Sequence, residues 1–474
     1  MGNVSLKIKE VFPQMAILKD PDNYSVFTGR NLPSFVKDFL VKKFINNEGE
    51  LDKFGIKRFL DEHIPHKGTD VKGQLRTQRI EKLLLTRFIV SNDLRHDKLR
   101  FSIPDVGIKL SDGIIPDFVA QQHKDELNDG EKWGVIKLSY EPPFQKDPGH
   151  VELIEYKPFK PYKVDLSYYR KCRKEFTTEE WIDLLLTAME YNPDGFISIS
   201  QKLEFLSRLL TFVEPRLNII ELAPKGTGKS YVFGNLSKYG WLVSGGKVTR
   251  AKLFYDKSRQ QPGIIRNYDF VTFDEIQTIV FQEPSELQAA LKSYLESGKT
   301  TIDNYEFMSE CGMMLMGNIE LTEDKLPKNN KYFSSLPEGF RESALLDRFH
   351  GFIEGWKLPR MNKSMILKGW TLNVEYFSEI LHELRTAPEY SLVVNDLIYS
   401  EDSSDLRDLK AVQRIATALL KLLFPQATTI DDIDKEEFRS YCLEPAIRRR
   451  GIIKEQCHRI DEEFKEFMPE IRMK

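Results

Sequence analysis

The chain has 474 residues, of which 41% are hydrophobic and 30% are charged, and these proportions exclude a disordered or fibrous protein. This length exceeds one ordinary hydrophobic core and predicts two or three domains. The 69 basic and 72 acidic residues nearly balance, so a nucleic-acid partner would have to bind a local basic patch.

Cysteine usage and hydropathy exclude several further classes of protein. The cysteines are scattered without a C-x-x-C pair, which argues against a disulfide framework or a zinc module. No run of about 18 apolar residues is present, and the N-terminus lacks the apolar stretch of a secretion signal. We therefore expect a cytoplasmic protein with no membrane partner.

The first part of the chain, residues 1–195, is predicted to be a mixed α+β domain. Amphipathic spacing predicts helices at 33–44 and 78–91. Short β-rich runs between 133 and 169 predict a hairpin or a small β-barrel. We interpret this domain as a DNA-binding or ring-assembly module.

Three further segments follow. Residues 196–360 alternate strand candidates with helical stretches, which predicts an α/β core with a parallel sheet flanked by helices. Residues 361–425 predict a helical lid. Residues 426–474 predict a charged helical tail, in which the three arginines 448–450 would form an exposed helix end. The strand candidates of the core are 217–222, 241–244, 270–273 and 313–316.

Segment 223–230, Ala-Pro-Lys-Gly-Thr-Gly-Lys-Ser, has the spacing of a phosphate-binding loop. It follows a strand candidate and departs from G-x-x-x-x-G-K-[ST] only at Ala223, where the glycine mainly makes the turn. A glycine-rich turn that happens to end in Lys-Ser is the alternative. The predicted nucleotide-binding residues are Pro224, Lys225, Gly226, Thr227, Gly228, Lys229 and Ser230.

The chemistry of this loop follows from its residue types. Gly226 and Gly228 allow the backbone to turn its N–H groups toward phosphate oxygens, and the N-terminus of the following helix adds positive charge. Lys229 would neutralise the β- and γ-phosphates of ATP, and Ser230 would ligate Mg²⁺.

Two later strand candidates end in polar residues suited to hydrolysis. Segment 268–275 is a buried-strand pattern that ends in Asp274 and Glu275. Asp274 would hold Mg²⁺ through water, and Glu275 would orient and deprotonate the attacking water. Asn318 ends the next strand and would help to position that water. Acids that start a helix, and an Asn in a turn, are the alternatives.

Two arginines are candidates for contact with phosphate. Arg348, in Ser-Ala-Leu-Leu-Asp-Arg-Phe, would reach the nucleotide of a neighbouring subunit as an arginine finger. Its alternative is local pairing with Asp347 or Glu342. Farther on, Arg407 and Arg414 lie two helical turns apart, and we favour Arg407 as the sensor 2 residue over two solvated helix charges.

Two basic segments are candidates for DNA contact. Segment 246–266 carries six basic residues against one acid, Asp256, and segment 296–303 predicts a hairpin with Lys299 at a ring pore. Solvated surface charge is the alternative for both segments. The basic residues of the first segment are Lys247, Arg250, Lys252, Lys257, Arg259 and Arg266.

With these motifs in place, the chain resembles the BrxL family of BREX phage-defence systems. The resemblance implies an AAA+ core similar to that of minichromosome maintenance helicases, and hexameric rings that stack as dodecamers around DNA. It also implies other BREX proteins as partners. The segments that carry it are 221–230, 244–247, 273–275, 347–352 and 418–425.

Longer members of the family append a Lon-like peptidase domain. About 50 residues follow Pro425, so we expect a short form without peptidase activity. The sequence thus predicts a ring-forming AAA+ ATPase that uses ATP and Mg²⁺ to translocate on or remodel DNA. An ATP-driven protein unfoldase, for which the Tyr305-Glu-Phe307 segment would be a pore loop, and a nucleotide-controlled scaffold are the alternatives.

Overall fold

The computed structural model describes residues 3–30, 32–46, 50–93, 96–145, 148–257, 261–282, 284–302, 305–400 and 406–474. Arg259 of the basic segment and Asp303 of the predicted hairpin lie outside these ranges. None of the described helices combines the length and the hydrophobicity needed to span a membrane.

The chain begins with short helices and one strand. Asp52 and Asp70 cap two of these helices by accepting hydrogen bonds from Gly55 N and Gly73 N. The elements are α1 (Asn3–Val11), β1 (Ala16–Lys19), α2 (Pro21–Tyr24), α3 (Ser34–Phe44), α4 (Lys53–His63) and α5 (Val71–Gln78).

A closed five-stranded barrel follows, with its own buried core around Phe88, Phe101 and Leu153. Its strands hydrogen-bond in the order β2-β3-β4-β6-β5, and the β4–β6 pair is parallel. The elements are β2 (Lys82–Asp93), β3 (Lys98–Ile103), β4 (Ile108–Ile115), α6 (Asp117–Gln122), β5 (Gly130–Glu141) and β6 (His150–Pro158).

Strand β2 occupies the segment for which amphipathic spacing predicted a helix at 78–91, so that prediction is wrong. Leu84 and Phe88 are four residues apart, which fits one face of a helix. Together with Val90, they equally fit the two-residue period of a strand with one buried face. Pairing with both β3 and β5 selects the strand.

Helices connect the barrel to a parallel five-stranded sheet of order β15-β7-β14-β11-β8. The capping box of Thr177 and Glu180 starts α8. The elements to the end of the sheet are α7 (Leu166–Arg173), α8 (Thr178–Ala188), α9 (Ile199–Leu206), α10 (Leu210–Val213), β7 (Asn218–Ala223), α11 (Lys229–Asn235), β8 (Gly240–Val248), α12 (Arg250–Leu253), β9 (Tyr255–Asp256), β10 (Gln261–Pro262), α13 (Ile264–Asn267), β11 (Phe270–Phe281), α14 (Pro284–Ser297), β12 (Lys299–Ile302), β13 (Tyr305–Met308), β14 (Gly312–Asn318), α15 (Ser343–Leu346) and β15 (Gly351–Glu354).

Strands β7, β14 and β15 and the first half of β11 are buried on both faces, as in most parallel sheets, whereas the edge strand β8 is partly exposed. Successive residues of one strand face opposite cores, so that Met314 packs into one and Leu315 into the other. All four strand candidates lie in the sheet, whereas the short edge strand β15 was not predicted. Strands β12 and β13 form the hairpin predicted before the Asn318 strand.

The remaining elements pack back onto the rest of the chain. Strand β16 pairs antiparallel with the N-terminal strand β1, and helices on both sides of residues 195 and 361 share one core. These elements are β16 (Gly369–Leu372), α16 (Val374–Arg385), α17 (Glu389–Leu397), β17 (Ile398–Ser400), α18 (Leu406–Leu423), α19 (Lys435–Phe438), α20 (Glu444–His458) and β18 (Ile471–Met473).

Helix α20 corrects the interpretation of the three arginines as an exposed helix end. Arg449 and Arg450 are buried, and only Arg448 is exposed. The Arg450 guanidinium donates to the backbone oxygens of Asp347 and Phe349, both at 2.8 Å. The prediction failed because the acidic flanks of this run suggested solvent, whereas the arginines meet buried acceptors from other elements.

Candidate nucleotide site

The predicted phosphate-binding loop joins β7 to α11 at one end of the parallel sheet. Gly226 and Gly228 have φ angles of 83° and 78°, a region that side chains with a Cβ rarely adopt. Space also selects glycine at one position, since a Cβ on Gly228 would lie 2.7 Å from the phenol oxygen of Tyr191. The two glycines are therefore required by the path of the loop.

Lys229 brings the loop and the end of β14 together. Its ammonium lies 3.1 Å from the backbone oxygen of Ala223 and 3.3 Å from Asn318 Oδ1. Burial lowers the pKa of this ammonium below its ordinary value. The structure thus places Lys229 and Asn318, predicted from separate motifs, in direct contact.

Ser230 and Asp274 form a second pair across the site. The Ser230 hydroxyl donates a hydrogen bond to the Asp274 carboxylate, which also accepts from the backbone N–H of Glu275 at 2.9 Å. A hydroxyl beside a carboxylate is a donor set of hard oxygens, which suits Mg²⁺. The two predicted metal ligands therefore fit the predicted ion.

Glu275 lies at an irregularity in β11. Its φ angle of 48° is uncommon for a residue with a side chain, and the register with β8 shifts between Asp274 and Ile279. The Glu275 side chain is exposed, in contrast to the buried Asp274 beside it. Backbone strain of this kind is concentrated at functional sites, and here it coincides with an exposed carboxylate.

An open cleft runs beside the loop, and the segment after β15 forms one wall of it. The backbone N–H of Met361 donates to the Gly226 oxygen at 2.7 Å, which brings the exposed Arg360 to the cleft. Sequence reasoning missed Arg360, since no motif surrounds it. Residues that line the cleft include Pro224, Lys225, Glu275, Gln277, Asn318, Lys357, Arg360 and Asn362.

A buried ion pair that the sequence did not predict lies behind the loop. Arg208 binds Glu221 through two nitrogens, at 2.6 and 3.0 Å, and neither side chain is exposed. Another guanidinium nitrogen donates to the Thr227 backbone oxygen at 2.8 Å. The pair thus fixes the loop from its protein side, and an arginine ahead of the β7 strand was the only available signal.

Arg348 and Arg407 lie together at a different place on the chain. Arg348 Nε lies 3.1 Å from a Glu296 carboxylate oxygen, and Arg407 Nη2 lies 2.9 Å from the same oxygen. Arg407 also binds Asp347. Local pairing of Arg348 therefore occurs, but with Glu296 rather than with Asp347 or Glu342.

The sensor 2 candidate Arg407 thus pairs with Glu296 and Asp347 in the described structure, and its contact with phosphate stays a prediction. The next residue, Asp408, is buried and binds Arg450 and Lys454 of α20. That contact fixes the first turn of α18 and directs Arg407 to Asp347. Arg414, the second candidate, donates instead to the Pro215 backbone oxygen at 2.7 Å.

Comparison with known proteins finds two family models that match the chain and several curated relatives. A family model described as "Lon-like protease BrxL-like, ATPase domain" matches residues 151–470, and one described as "BREX system Lon protease-like protein BrxL N-terminal" matches residues 10–140. A less similar relative is the uncharacterized protein ORF426 of Acidianus filamentous virus 1, 23% identical over 64% of this chain and 74% of its own length.

Two curated relatives carry the name "Lon-like protease BrxL". The Escherichia coli O9:H4 (strain HS) protein is 28% identical over 91% of this chain and 61% of its own length. The Bacillus cereus (strain H3081.97) protein is 28% identical over 97% of this chain and 67% of its own length. The chain therefore spans about two thirds of the length of these relatives. It belongs to the BrxL family, and its residues 151–470 match the ATPase domain of that family.

Proposed function

We propose that the chain is a Mg²⁺-dependent ATPase that assembles into hexameric rings and translocates on or remodels DNA in phage defence, with other BREX proteins as partners. The observation that carries the proposal is the meeting of Lys229, Asn318, Ser230 and Asp274 beside the exposed Glu275. Three separate sequence motifs converge there. The family match to an ATPase domain supports the same chemistry.

Each residue of the site has a role that its environment supports. Lys229 neutralises the β- and γ-phosphates, and the backbone of residues 224–228 surrounds them. Ser230 and Asp274 hold Mg²⁺, which would neutralise charge on the phosphate oxygens when bound. Glu275 accepts a proton from the attacking water, and Asn318 orients that water.

The positions of two arginines support assembly of the chain into a ring. Arg348 and Arg407 share Glu296 and do not contact the phosphate loop in the described part of the chain. In a closed ring of head-to-tail subunits, one surface of each chain meets a different surface of the next. We propose that Arg348 acts there as the arginine finger on the neighbour's nucleotide, with Arg407 beside it.

Exposed cations on the same core support DNA as the polymer. Lys247, Lys252 and the hairpin residue Lys299 are exposed, whereas Arg250 pairs with Glu286 at 3.0 Å and Arg266 bonds Tyr305. Contacts of this kind to phosphates are independent of sequence and weaken as salt rises.

Protein unfolding is a second candidate for the work that ATP drives. Met308, on strand β13 of the hairpin, is 60% exposed, and the relatives are named Lon-like proteases. An apolar side chain on a pore hairpin would suit an unfolded polypeptide better than a phosphate backbone. This candidate predicts that unfolded protein, rather than DNA, stimulates hydrolysis.

The test of the site is the substitution Glu275→Gln, with Glu155→Gln as the matched control. Glu155 is an exposed carboxylate on the barrel strand β6 that pairs with Lys137 at 3.1 Å. We expect Glu275→Gln to bind ATP as the wild type does and to lower kcat by about 10²- to 10⁴-fold, the usual contribution of a general base. Glu155→Gln should keep wild-type turnover, and retained turnover in Glu275→Gln would reject the assigned role.

The test of the polymer is ATPase activity with and without DNA over a range of salt concentrations. DNA should stimulate hydrolysis, and its binding should weaken steeply as salt rises, because each phosphate contact releases counterions. Stimulation by unfolded protein alone would favour the second candidate. A protein that binds ATP but hydrolyses it slowly under all conditions would instead be a nucleotide-controlled scaffold.

A further inference from the structure

A buried cluster of charges joins the N-terminal strand to the region of the phosphate loop. Lys19, the last residue of β1, has only 7% of its side chain exposed. Its ammonium forms an ion pair with Asp38 and a second one with Glu190, at 2.6 Å from Oε1. Burying three charged groups is costly unless they are paired, so the cluster holds its members in one arrangement.

Glu190 is the member of the cluster that faces the nucleotide site. Its second oxygen accepts hydrogen bonds from the Ser34 hydroxyl, at 2.6 Å, and from the Tyr231 phenol. Its φ angle of 72° is one that glutamate rarely adopts, so these contacts hold a strained backbone in place. Although burial acts in the opposite direction, the charge of Lys19 lowers the pKa of Glu190.

Glu190 and Tyr231, which contact each other, each have a sequence neighbour that belongs to the phosphate loop or packs against it. Tyr231 directly follows Ser230, the predicted Mg²⁺ ligand, in α11. Tyr191 directly follows Glu190, and its phenol oxygen lies where a Cβ on Gly228 would come within 2.7 Å. Glu190 therefore constrains the loop both through its own chain neighbour and through the first turn of α11.

The same cluster also reaches the helix that follows β16. Asp38 accepts a hydrogen bond from the backbone N–H of Val374, the first residue of α16, at 3.0 Å. Strand β1 pairs with β16, so Lys19 lies opposite Gly369, the first residue of the strand that precedes that helix. The cluster thus ties the N-terminal strand to the start of α16 as well as to the first turn of α11.

We propose that Lys19, Glu190 and Tyr231 are positioning residues for the nucleotide, through which the N-terminal strand sets the geometry of the phosphate loop. This inference rests on the proposed ATPase function. Without the Lys19 charge, the carboxylates of Asp38 and Glu190 repel each other, and Glu190 no longer fixes Tyr231. The loop then samples more conformations, and ATP binds more weakly, whereas Glu275 and Asp274 keep their places.

The test compares KM and kcat for ATP in four variants of the whole chain. Tyr231→Phe removes one hydroxyl and keeps the ring, and Lys19→Met removes the charge and keeps most of the side-chain length. Lys19→Arg restores the charge. The matched control is Lys7→Met, which removes an N-terminal ion pair with Glu180, at 2.6 Å, away from the loop.

We expect Tyr231→Phe and Lys19→Met to raise KM about tenfold with kcat within about twofold of wild type, since a hydrogen bond to a charged group is lost. Lys19→Arg should recover part of the affinity, and Lys7→Met should match wild type. A wild-type KM in folded Tyr231→Phe overturns the inference, as does an equal rise in Lys7→Met. If Lys19→Met fails to fold, Tyr231→Phe decides.

Equilibrium binding of ATP separates this inference from the proposed function. A wild-type protein that neither binds nor hydrolyses ATP would remove the proposed function and the inference with it. A wild-type protein that binds ATP no more tightly than Tyr231→Phe would overturn the inference alone.

Discussion

In the Arg208–Glu221 pair behind the phosphate loop, Arg208 both neutralises a buried carboxylate and holds the loop. Both groups are fully buried, and the Arg208 guanidinium also donates a hydrogen bond to the Thr227 backbone oxygen at 2.8 Å. A buried pair is a weak source of net stability, but loss of one member leaves an uncompensated charge. The pair is therefore sensitive to single changes and tolerant of a change in both members.

We expect Arg208→Met to lower the free energy of unfolding by about 3–5 kcal/mol, because Glu221 loses its buried partner. Arg208→Met combined with Glu221→Leu should lose less. Denaturant unfolding measures both variants, with Arg58→Met as the control, since the exposed Arg58–Glu62 pair should contribute at most about 1 kcal/mol. Equal losses in the single and double variants would refute the argument.

The residues that sequence alone identified are those whose chemistry requires a fixed local spacing. Lys229 and Ser230 follow from the glycine pattern of one loop, and Asp274 follows from the end of one strand. Arg208 was missed because its role depends on packing between a helical turn and a loop 19 residues away. The pairing of Arg407 with Asp347 and Glu296 was not predictable, because helical spacing defines a face but not its partner.

At the scale of elements, the barrel touches the core just ahead of the β11 strand that carries Asp274. Glu131 of β5 interacts electrostatically with Tyr268, two residues before β11 begins, and its carboxylate lies 3.6 Å from the guanidinium of Arg87 of β2. Burial is the main cause that raises the pKa of Glu131 to about 7. A carboxyl group thus sits at this junction with its titration moved toward neutral pH.

This pKa shift predicts a pH dependence at the barrel junction. An acid whose pKa is raised by folding binds more protons in the folded state than in the unfolded state. The contribution of Glu131 to the free energy of unfolding is therefore fully present below about pH 4.5 and is lost as the pH rises through about 7. Glu131→Gln mimics the protonated group. We expect the variant to be more stable than wild type by about 1 kcal/mol at pH 5 and by about 3 kcal/mol at pH 8.

Thermal and denaturant unfolding of both proteins at the two pH values measure this difference. A stability difference that is the same at pH 5 and pH 8 would mean that Glu131 does not titrate in this range. A variant that is less stable at pH 8 would mean that the Glu131 charge, paired with Arg87, stabilises the junction.

The elements themselves were predictable to the extent that their patterns are local. The four predicted strands of the core are mainly apolar runs, three of them buried, and the sequence marks them clearly. Strand β15 has only four residues and no such run. The barrel strand β2 was mistaken for a helix because Leu84 and Phe88 fit both periods, and its true partners lie far along the chain.

At the scale of the whole molecule, the residues of the proposed site form two separate groups. Lys229, Asp274 and Glu275 meet at one end of the sheet, whereas Arg348 lies with Glu296 elsewhere. If one chain supplies the first group and its neighbour supplies Arg348, each active site needs two intact halves from different chains.

Mixing of inactive variants tests this division. Arg348→Ala and Lys229→Ala should each lose most activity alone, and an equal mixture should recover roughly a quarter of the wild-type rate, because that fraction of interfaces combines two intact halves. The control mixes Lys229→Ala with Glu275→Gln. Both changes affect the same half of the site, so no interface becomes complete and no activity should return. Recovery in both mixtures, or in neither, would contradict a site shared between neighbouring chains through Arg348.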